Sequence, residues 1–382
     1  MSVRIARRMD GVDRTLIRRI FDSAPEGSIN LGLGQPDLAT PPSIALAGIE
    51  GIARGRTAYT STGGDPFLRA AIAERYRPFA SGPESVAVTV GSQEACFAAM
   101  LTLLDPGDEV LVPDPGYPAY PVVARLLGAS ARAYPLRPER GFHLDPEEVE
   151  SLLGERTRLV IVCTPSNPTG AVERAGDLER LAEALRLRGI AWLSDEIYSA
   201  YAYEGPVPSL SAVWPEGGVV VSGLSKDVSM TGWRIGWVVG PGPAIGRIVA
   251  AHQYLVTCAP SVSQWAARTA LGEAGERARG EILTVFRRRR EVAAEALRRI
   301  PGIEVEPPEG AFYFFVDVRR FGSSLELAER LLRQEKVIVI PGEAFGTQGS
   351  GFLRVSFAAS EDDIRNGIAG LGRVLVASDG RA

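Results

Sequence analysis

The chain has 382 residues, 45% hydrophobic and 23% charged, with a formal net charge of −4. That composition excludes a disordered or fibrous chain, and 46 acidic against 42 basic residues leave no global positive field for nucleic acid. The length allows two or three domains, each with a sizeable core.

The first stretch, "MSVRIARRMDGVDRTLIRRIF", breaks every apolar run with charge. It lacks the apolar centre of a signal peptide, and no run of about 18 apolar residues occurs anywhere, so neither export nor membrane insertion is expected. Residues 1–40 hold one short amphipathic pattern and then the loop-rich "INLGLGQPDLATPP", too little for a core of its own. This segment is expected to pack on the smaller domain and the active site.

Over the middle of the chain, apolar β-branched runs alternate with helical patterns. "SVAVTV" precedes the helix "GSQEACFAAMLTLL", and "DEVLVP" precedes the turn-rich "DPGYPAYP". Further on, "RLVIVC" precedes "TPSNPTG", "IAWLS" precedes "DEIYS", and "GVVVSG" precedes "LSK". Tyr198 follows Asp195 by three residues and is expected on the same helical face. The strands are apolar throughout, as in a mostly parallel sheet covered on both faces. "FRRRREVAAEALRRI" places Val292, Leu297 and Ile300 at helical spacing, so a solvated helix face is expected rather than a polyanion site. Beyond residue 275, long charged helical patterns flank "GAFYFFVDV" and "VIVIPG". The expected division is an N-terminal segment 1–40, a large domain 41–275 and a smaller α/β domain 276–382.

Cys96, Cys163 and Cys258 lie far apart with no ligand-like spacing, which points to reduced thiols in a cytoplasmic protein. Two histidines, His143 and His252, are too few for a His-rich metal site or a Ser/His/Asp triad, so no metal is expected. Lysine usage is more informative. Only Lys226 and Lys336 occur in a chain that otherwise uses arginine. Arginine makes the better bidentate ion pair and stays charged, whereas a desolvated lysine can lose its proton and attack a carbonyl. Lys336, in "RQEKVIVIPG", reads as a solvated residue before a strand, which leaves Lys226 in "SGLSKDVSMTGWRIGW" as the reactive amine. Ligands of open parallel sheets sit outside the carboxyl ends of the strands. Ser92, Gln93, Tyr117, Asn167, Asp195, Tyr198 and Lys226 all fall at such ends, in five separate units.

From "LGLGQPD" through "YTSTGG", "GSQEA", "SNPTG", "SDEIY" and "SGLSKDVSMTGWRIG" to "GAFYFFVD" and "FLRVSFA", the chain resembles the class I aminotransferases. These are pyridoxal 5′-phosphate enzymes of fold type I, with a large domain on a mostly parallel sheet and a smaller C-terminal α/β domain. The resemblance implies that Lys226 forms the Schiff base with the cofactor and carries the proton between the substrate Cα and the cofactor. It implies that Asp195 pairs with the pyridine nitrogen, that Tyr198 and Asn167 hydrogen-bond the ring oxygen, and that Tyr117 stacks on the ring. Ser92 and Gln93, at a helix N-terminus, and Arg234 would hold the phosphate. Many relatives carry a phosphate-binding serine three residues before the lysine, where this chain has Gly223; Ser225, or else Ser222, would substitute. Arg354 would fork onto the substrate α-carboxylate, with the Gly34 backbone beside it. Tyr59 resembles the tyrosine that reaches the partner's phosphate across a dimer, which makes a homodimer with shared sites the expected active unit.

The implied reaction is a ping-pong exchange of the amino group between a 2-amino acid and a 2-oxo acid. Dicarboxylate-specific relatives add a cation, in one subgroup a lysine at the position of Gln93 and in another an arginine in the segment matching "HQYLVTCAPS"; both are missing here. That tilts the expectation toward an aromatic, neutral or broad side chain, with arginines of the N-terminal segment as the other source of charge. Aspartate aminotransferase proper, and a C–S β-lyase or synthase on the same fold, are the alternatives. A regulator with an aminotransferase-like domain would carry a DNA-binding domain ahead of "LGLGQPD", which begins at residue 31, and is not expected.

Overall fold

The computed structural model describes residues 3–379. In the N-terminal part, α1 (Leu16–Asp22) and β1 (Ile29–Asn30) precede α2 (Pro42–Ala53), α3 (Pro66–Arg75), β2 (Val86–Thr89) and α4 (Gly91–Leu103). Alternation follows: β3 (Glu109–Asp114), α5 (Ala119–Leu126), β4 (Ser130–Pro135), α6 (Pro146–Leu152), β5 (Thr157–Cys163), α7 (Ala175–Arg188), β6 (Ala191–Asp195) and α8 (Leu210–Val213). Next come β7 (Gly218–Gly223), β8 (Gly236–Val239), α9 (Gly242–Val256), α10 (Ser261–Ala270) and α11 (Glu273–Arg298). The chain ends with β9 (Tyr313–Asp317), α12 (Ser324–Glu335), β10 (Val337–Ile338), β11 (Ile340–Pro341), β12 (Phe352–Ser356) and α13 (Glu361–Asp379).

Seven strands form the central sheet in the order β2-β8-β7-β6-β5-β3-β4. All pairs are parallel except those of β8, which runs against both β7 and β2. Strands β2, β5 and β7 are apolar and almost wholly buried, because helices cover both faces. One face packs on α4, α5 and α9, through Ala95, Met100, Tyr120 and Ile248. The other packs on α6 and α7, through Val149, Leu178 and Leu185. Two strands were not legible in the sequence: β4, "SARAYP", whose first four residues are exposed, and β8, "GWVV", which continues the lysine segment.

A second core gathers α11, α12 and α13 around the antiparallel strands β11, β12 and β9, with Phe286, Phe312, Phe357 and Leu371 at its centre. The N-terminal segment joins this unit. Strand β1 pairs in parallel with β10, and Ile17, Ile20 and Phe21 of α1 pack against Ile338, Ile340 and Phe345. The basic run on α11 departs from the expected solvated face. Arg289 is buried and forks onto Asp37 at 2.5 and 2.9 Å, and Arg290 Nε donates to the Pro308 carbonyl at 2.7 Å. A bidentate pair of this kind, with the guanidinium buried and the carboxylate partly exposed, ties α11 to the loop after β1. Lys336, by contrast, is exposed and ends α12 in a left-handed conformation with φ 53°.

Candidate active site

The register across the sheet aligns Cys163 with Asp195 and Asp195 with Val221, so the loops after β5, β6 and β7 leave from one level. They open on a single cleft between the sheet and the second core. Gly34, Ser92, Gln93, Tyr117, Asn167, Asp195, Tyr198, Ser225, Lys226, Arg234 and Arg354 all line it. Tyr59 does not. It is 86% exposed and borders a separate surface hollow with Arg56, Trp265 and Arg268.

Lys226, half-buried, lines this cleft and donates to the Gly34 carbonyl at 2.5 Å. Burial lowers its pKa to about 8, with help from the charges of Arg354 and Arg234. About a tenth of it is therefore the free amine at pH 7, the form that attacks a carbonyl, far more than an ordinary lysine offers. The same shift bears on stability. Because the folded-state value lies below the unfolded one, keeping the proton opposes folding fully below about pH 8, and the penalty fades as pH rises toward the ordinary value of 10.5. Lys226→Met is accordingly expected to stabilise the cofactor-free protein at pH 7, by on the order of 2 kcal/mol, and hardly at pH 10.5. Thermal unfolding at the two pH values measures this; an equal gain at both would contradict the shift.

Asp195 ends β6, its carboxylate 4% exposed. Oδ2 accepts from the Tyr120 hydroxyl at 2.7 Å, with Cys96 Sγ 3.8 Å away, and Oδ1 accepts from the Ile197 backbone at 3.2 Å. Burial raises its pKa, opposed by these hydrogen bonds, and no cation among the described residues pairs with it. Tyr198 is not on a helix with Asp195, as the spacing led us to expect. The chain turns after β6 and only Ser199–Tyr201 forms a short 3₁₀ turn, so a turn rather than helical periodicity brings Tyr198 to the cleft.

At the other end, α4 begins at Gly91 with φ +79°. A Cβ there would stand 2.7 Å from Arg234 Nη2, so the guanidinium lies directly against the helix start. Gly236 is packed as tightly, since its Cβ would meet Ser92 N at 2.6 Å. Arg234 donates only to the carbonyls of Thr231 and Val90, at 3.0 and 3.3 Å, and is exposed toward the cleft. Free backbone NH groups beside an uncommitted guanidinium make a site for a phosphate-sized anion. The glycine at 223 also has a physical reason. A Cβ would lie 2.8 Å from the Ile235 carbonyl and 2.9 Å from Gly236 Cα, so β8 leaves no space for a side chain. Ser225 lines the cleft, whereas Ser222 Oγ turns away and donates to the Glu196 carbonyl at 3.2 Å.

Arg354, on β12, is 2% exposed, and its acceptors are neutral: Asn167 Oδ1 at 2.7 Å and the Gly32 carbonyl at 2.5 Å. Its Nε is buried without a partner. The guanidinium lies over the rings of Tyr313 and Phe345, 4.4 and 4.6 Å from their centroids. Tyr198 and Tyr313 share a hydrogen bond of 2.7 Å between their hydroxyls, and Tyr117 reaches Gln93 Oε1 at 3.4 Å. The sequence reading missed Tyr120, Tyr313, Ile17 and Leu33, which also line the cleft. "GYPAY" and "GAFYFF" contain the two tyrosines, but nothing local distinguishes them from packing aromatics. Among the described residues, no helix is long and apolar enough to cross a membrane, and no group of three or more His, Cys, Asp or Glu could hold a metal.

Residues 26–371 match the family model of aminotransferase class I and II. The chain is 35% identical to an aspartate aminotransferase of Pyrococcus horikoshii, over 98% of this chain and 97% of that one. It is 33% identical to aromatic-amino-acid aminotransferase 2 of Thermococcus litoralis, over 96% and 97%. A solved double mutant of Thermus thermophilus aspartate aminotransferase superposes with a TM-score of 0.93 at 34% identity, covering 98% of this chain and all of that one.

Proposed function

The chain belongs to the class I and II aminotransferases, and we propose that its cleft holds pyridoxal 5′-phosphate and is not restricted to dicarboxylic substrates, accepting neutral or aromatic 2-amino acids at least as well. One observation carries this reading. Three charges, those of Asp195, Lys226 and Arg354, line one cleft without a counter-ion among the described residues, Asp195 and Arg354 fully buried and Lys226 half-buried. Burying an unpaired charge costs several kcal/mol, so each calls for an opposite partner or a neutral form supplied by what binds. A pyridinium would answer Asp195, and an α-carboxylate Arg354.

The residues fit the cofactor at each end. The α4 start, Arg234 and Ser225 would hold its phosphate, Tyr117 would stack on the ring, and Asp195 would keep the ring nitrogen protonated. Asn167 spends its oxygen on Arg354, which leaves its amide NH₂ to donate, with the Tyr198 hydroxyl, to the ring oxygen. When bound, the cofactor supplies an electron sink for the pair left at the substrate Cα. Lys226 would act as the base for the Cα proton, while Arg354 would hold the substrate carboxylate in the cleft. An exposed apolar strip of Leu46, Ile49 and Ile52 on α2 supports a homodimer. In that dimer Tyr59 of the partner subunit would complete the phosphate site. The division into 1–40, 41–275 and 276–382, and a cytoplasmic setting in keeping with three free cysteines, belong to the same proposal.

The substrate preference rests on what faces the cleft. Of α1, only Ile17 reaches it, beside Leu33. Arg14 and Arg18 are turned to Asp22, at 3.7 and 3.0 Å, and Arg19 is exposed. Gln93 carries no charge, so a distal carboxylate lacks a cation of this chain beyond Lys226, Arg234 and Arg354. With a neutral 2-oxo acid such as pyruvate as acceptor, phenylalanine or another neutral amino acid is expected to match or exceed aspartate in kcat/KM, where each roughly 1.4 kcal/mol counts tenfold. An aspartate preference above about a hundredfold would overturn the assignment.

A further inference from the structure

Tyr313, the first residue of β9, is completely buried and touches three parts of the cleft. Its ring lies under the Arg354 guanidinium, its hydroxyl is 2.7 Å from that of Tyr198, and a Cβ on Gly34 would fall 2.1 Å from the same hydroxyl oxygen. That oxygen is therefore lodged against the backbone residue whose carbonyl accepts from Lys226. Besides Tyr198, the Tyr313 hydroxyl has no hydrogen-bond partner among the described residues.

Among the described residues each hydroxyl has only the other as partner, and either could donate. Once Tyr198 gives its own proton to the ring oxygen of a bound cofactor, its oxygen can only accept from Tyr313, so Tyr313 becomes the donor; a Tyr313 proton left without an acceptor would bear the desolvation penalty of an unpaired O–H. The ring does something separate. Arg354 is held by Asn167 and the Gly32 carbonyl and lies over the rings of Tyr313 and Phe345, so the Tyr313 ring restricts how the guanidinium can tilt. We propose that Tyr313 is a positioning residue with two separable tasks: its hydroxyl commits the Tyr198 proton to the cofactor, and its ring fixes the plane in which Arg354 meets the substrate carboxylate. The inference rests on the reading that cofactor and α-carboxylate share this cleft.

Two variants separate the tasks. Tyr313→Phe keeps the ring and removes the donor, making Tyr198 a poorer donor in turn. The pH midpoint of the bound cofactor's visible absorption is expected to move up by about half a unit or more, with kcat lowered. The dissociation constant of 3-phenylpropionate, an unreactive monocarboxylate, should stay within about twofold. Tyr313→Leu should shift the midpoint similarly and weaken 3-phenylpropionate about tenfold. An unmoved or lowered midpoint in Tyr313→Phe, or undiminished 3-phenylpropionate binding in Tyr313→Leu, overturns the proposal. Gly34→Ala gives an independent check on placement. It should impair cofactor retention alone, and Tyr313→Phe in the same chain should partly restore it, because the nearest ring atom then stands 3.2 Å away; no rescue counts against the contact. A wild-type protein that retains cofactor without any pH-dependent visible band would instead overturn the underlying cofactor reading.

Discussion

Replacing Lys226 by alanine is expected to reduce transamination to background and to abolish covalent capture of the cofactor. The amine is the sole lysine of the cleft, lies against the Gly34 carbonyl, and is held by burial at a pKa of about 8. No neighbour can take over. Arg234 and Arg354 are guanidinium groups that do not deprotonate, and Lys336 is exposed at the end of α12. The variant should still retain the cofactor weakly, because the α4 start and Arg234 are untouched. Borohydride reduction followed by peptide mapping checks this: the wild type should yield a fixed cofactor on the peptide containing Lys226, and the alanine variant none. A fixed cofactor at Lys336 in the variant would move the reactive amine elsewhere.

Asp195→Asn should lower kcat/KM by about three orders of magnitude or more while leaving the fold intact. The carboxyl is buried where a charge is expensive, which raises its pKa, and its hydrogen bonds from Tyr120 and the Ile197 backbone oppose that rise. An amide fits the same space, and the Tyr120 hydroxyl can turn to accept from it. What it lacks is the negative charge that holds a proton on the ring nitrogen. Thermal unfolding within a few degrees of wild type, together with the kinetic loss, is the expected pair of results. Near-normal turnover would remove Asp195 from this role.

Much of this site was legible before the fold, because parallel sheets place ligand-binding groups at strand ends and those ends can be read from apolar runs. Lys226 was marked by composition alone, and Asp195 by its place after "IAWLS". Long-range effects were not legible. Strand β8 inserts antiparallel between β7 and β2, and only that insertion explains Gly223, whose absent side chain would strike the Ile235 carbonyl. Tyr120 and Tyr313 owe their importance to partners 75 and 115 residues away. Arg289 looked like one more solvated arginine until Asp37, 252 positions earlier, was brought against it. The turn that delivers Tyr198 differs from the helix its spacing resembled, since three residues of a turn can bring two side chains together as well as a helical face can.

The most direct test of the central claim is a single half-reaction. Purified enzyme carrying one pyridoxal phosphate per subunit is mixed with phenylalanine and no acceptor, and the 2-oxo acid and ammonia released are counted. The expected result is about one 2-oxo acid per subunit, no ammonia, and a halt until a 2-oxo acid acceptor is added. Continuous ammonia release without an acceptor, or no 2-oxo acid while Lys226 demonstrably carries the cofactor, would contradict it.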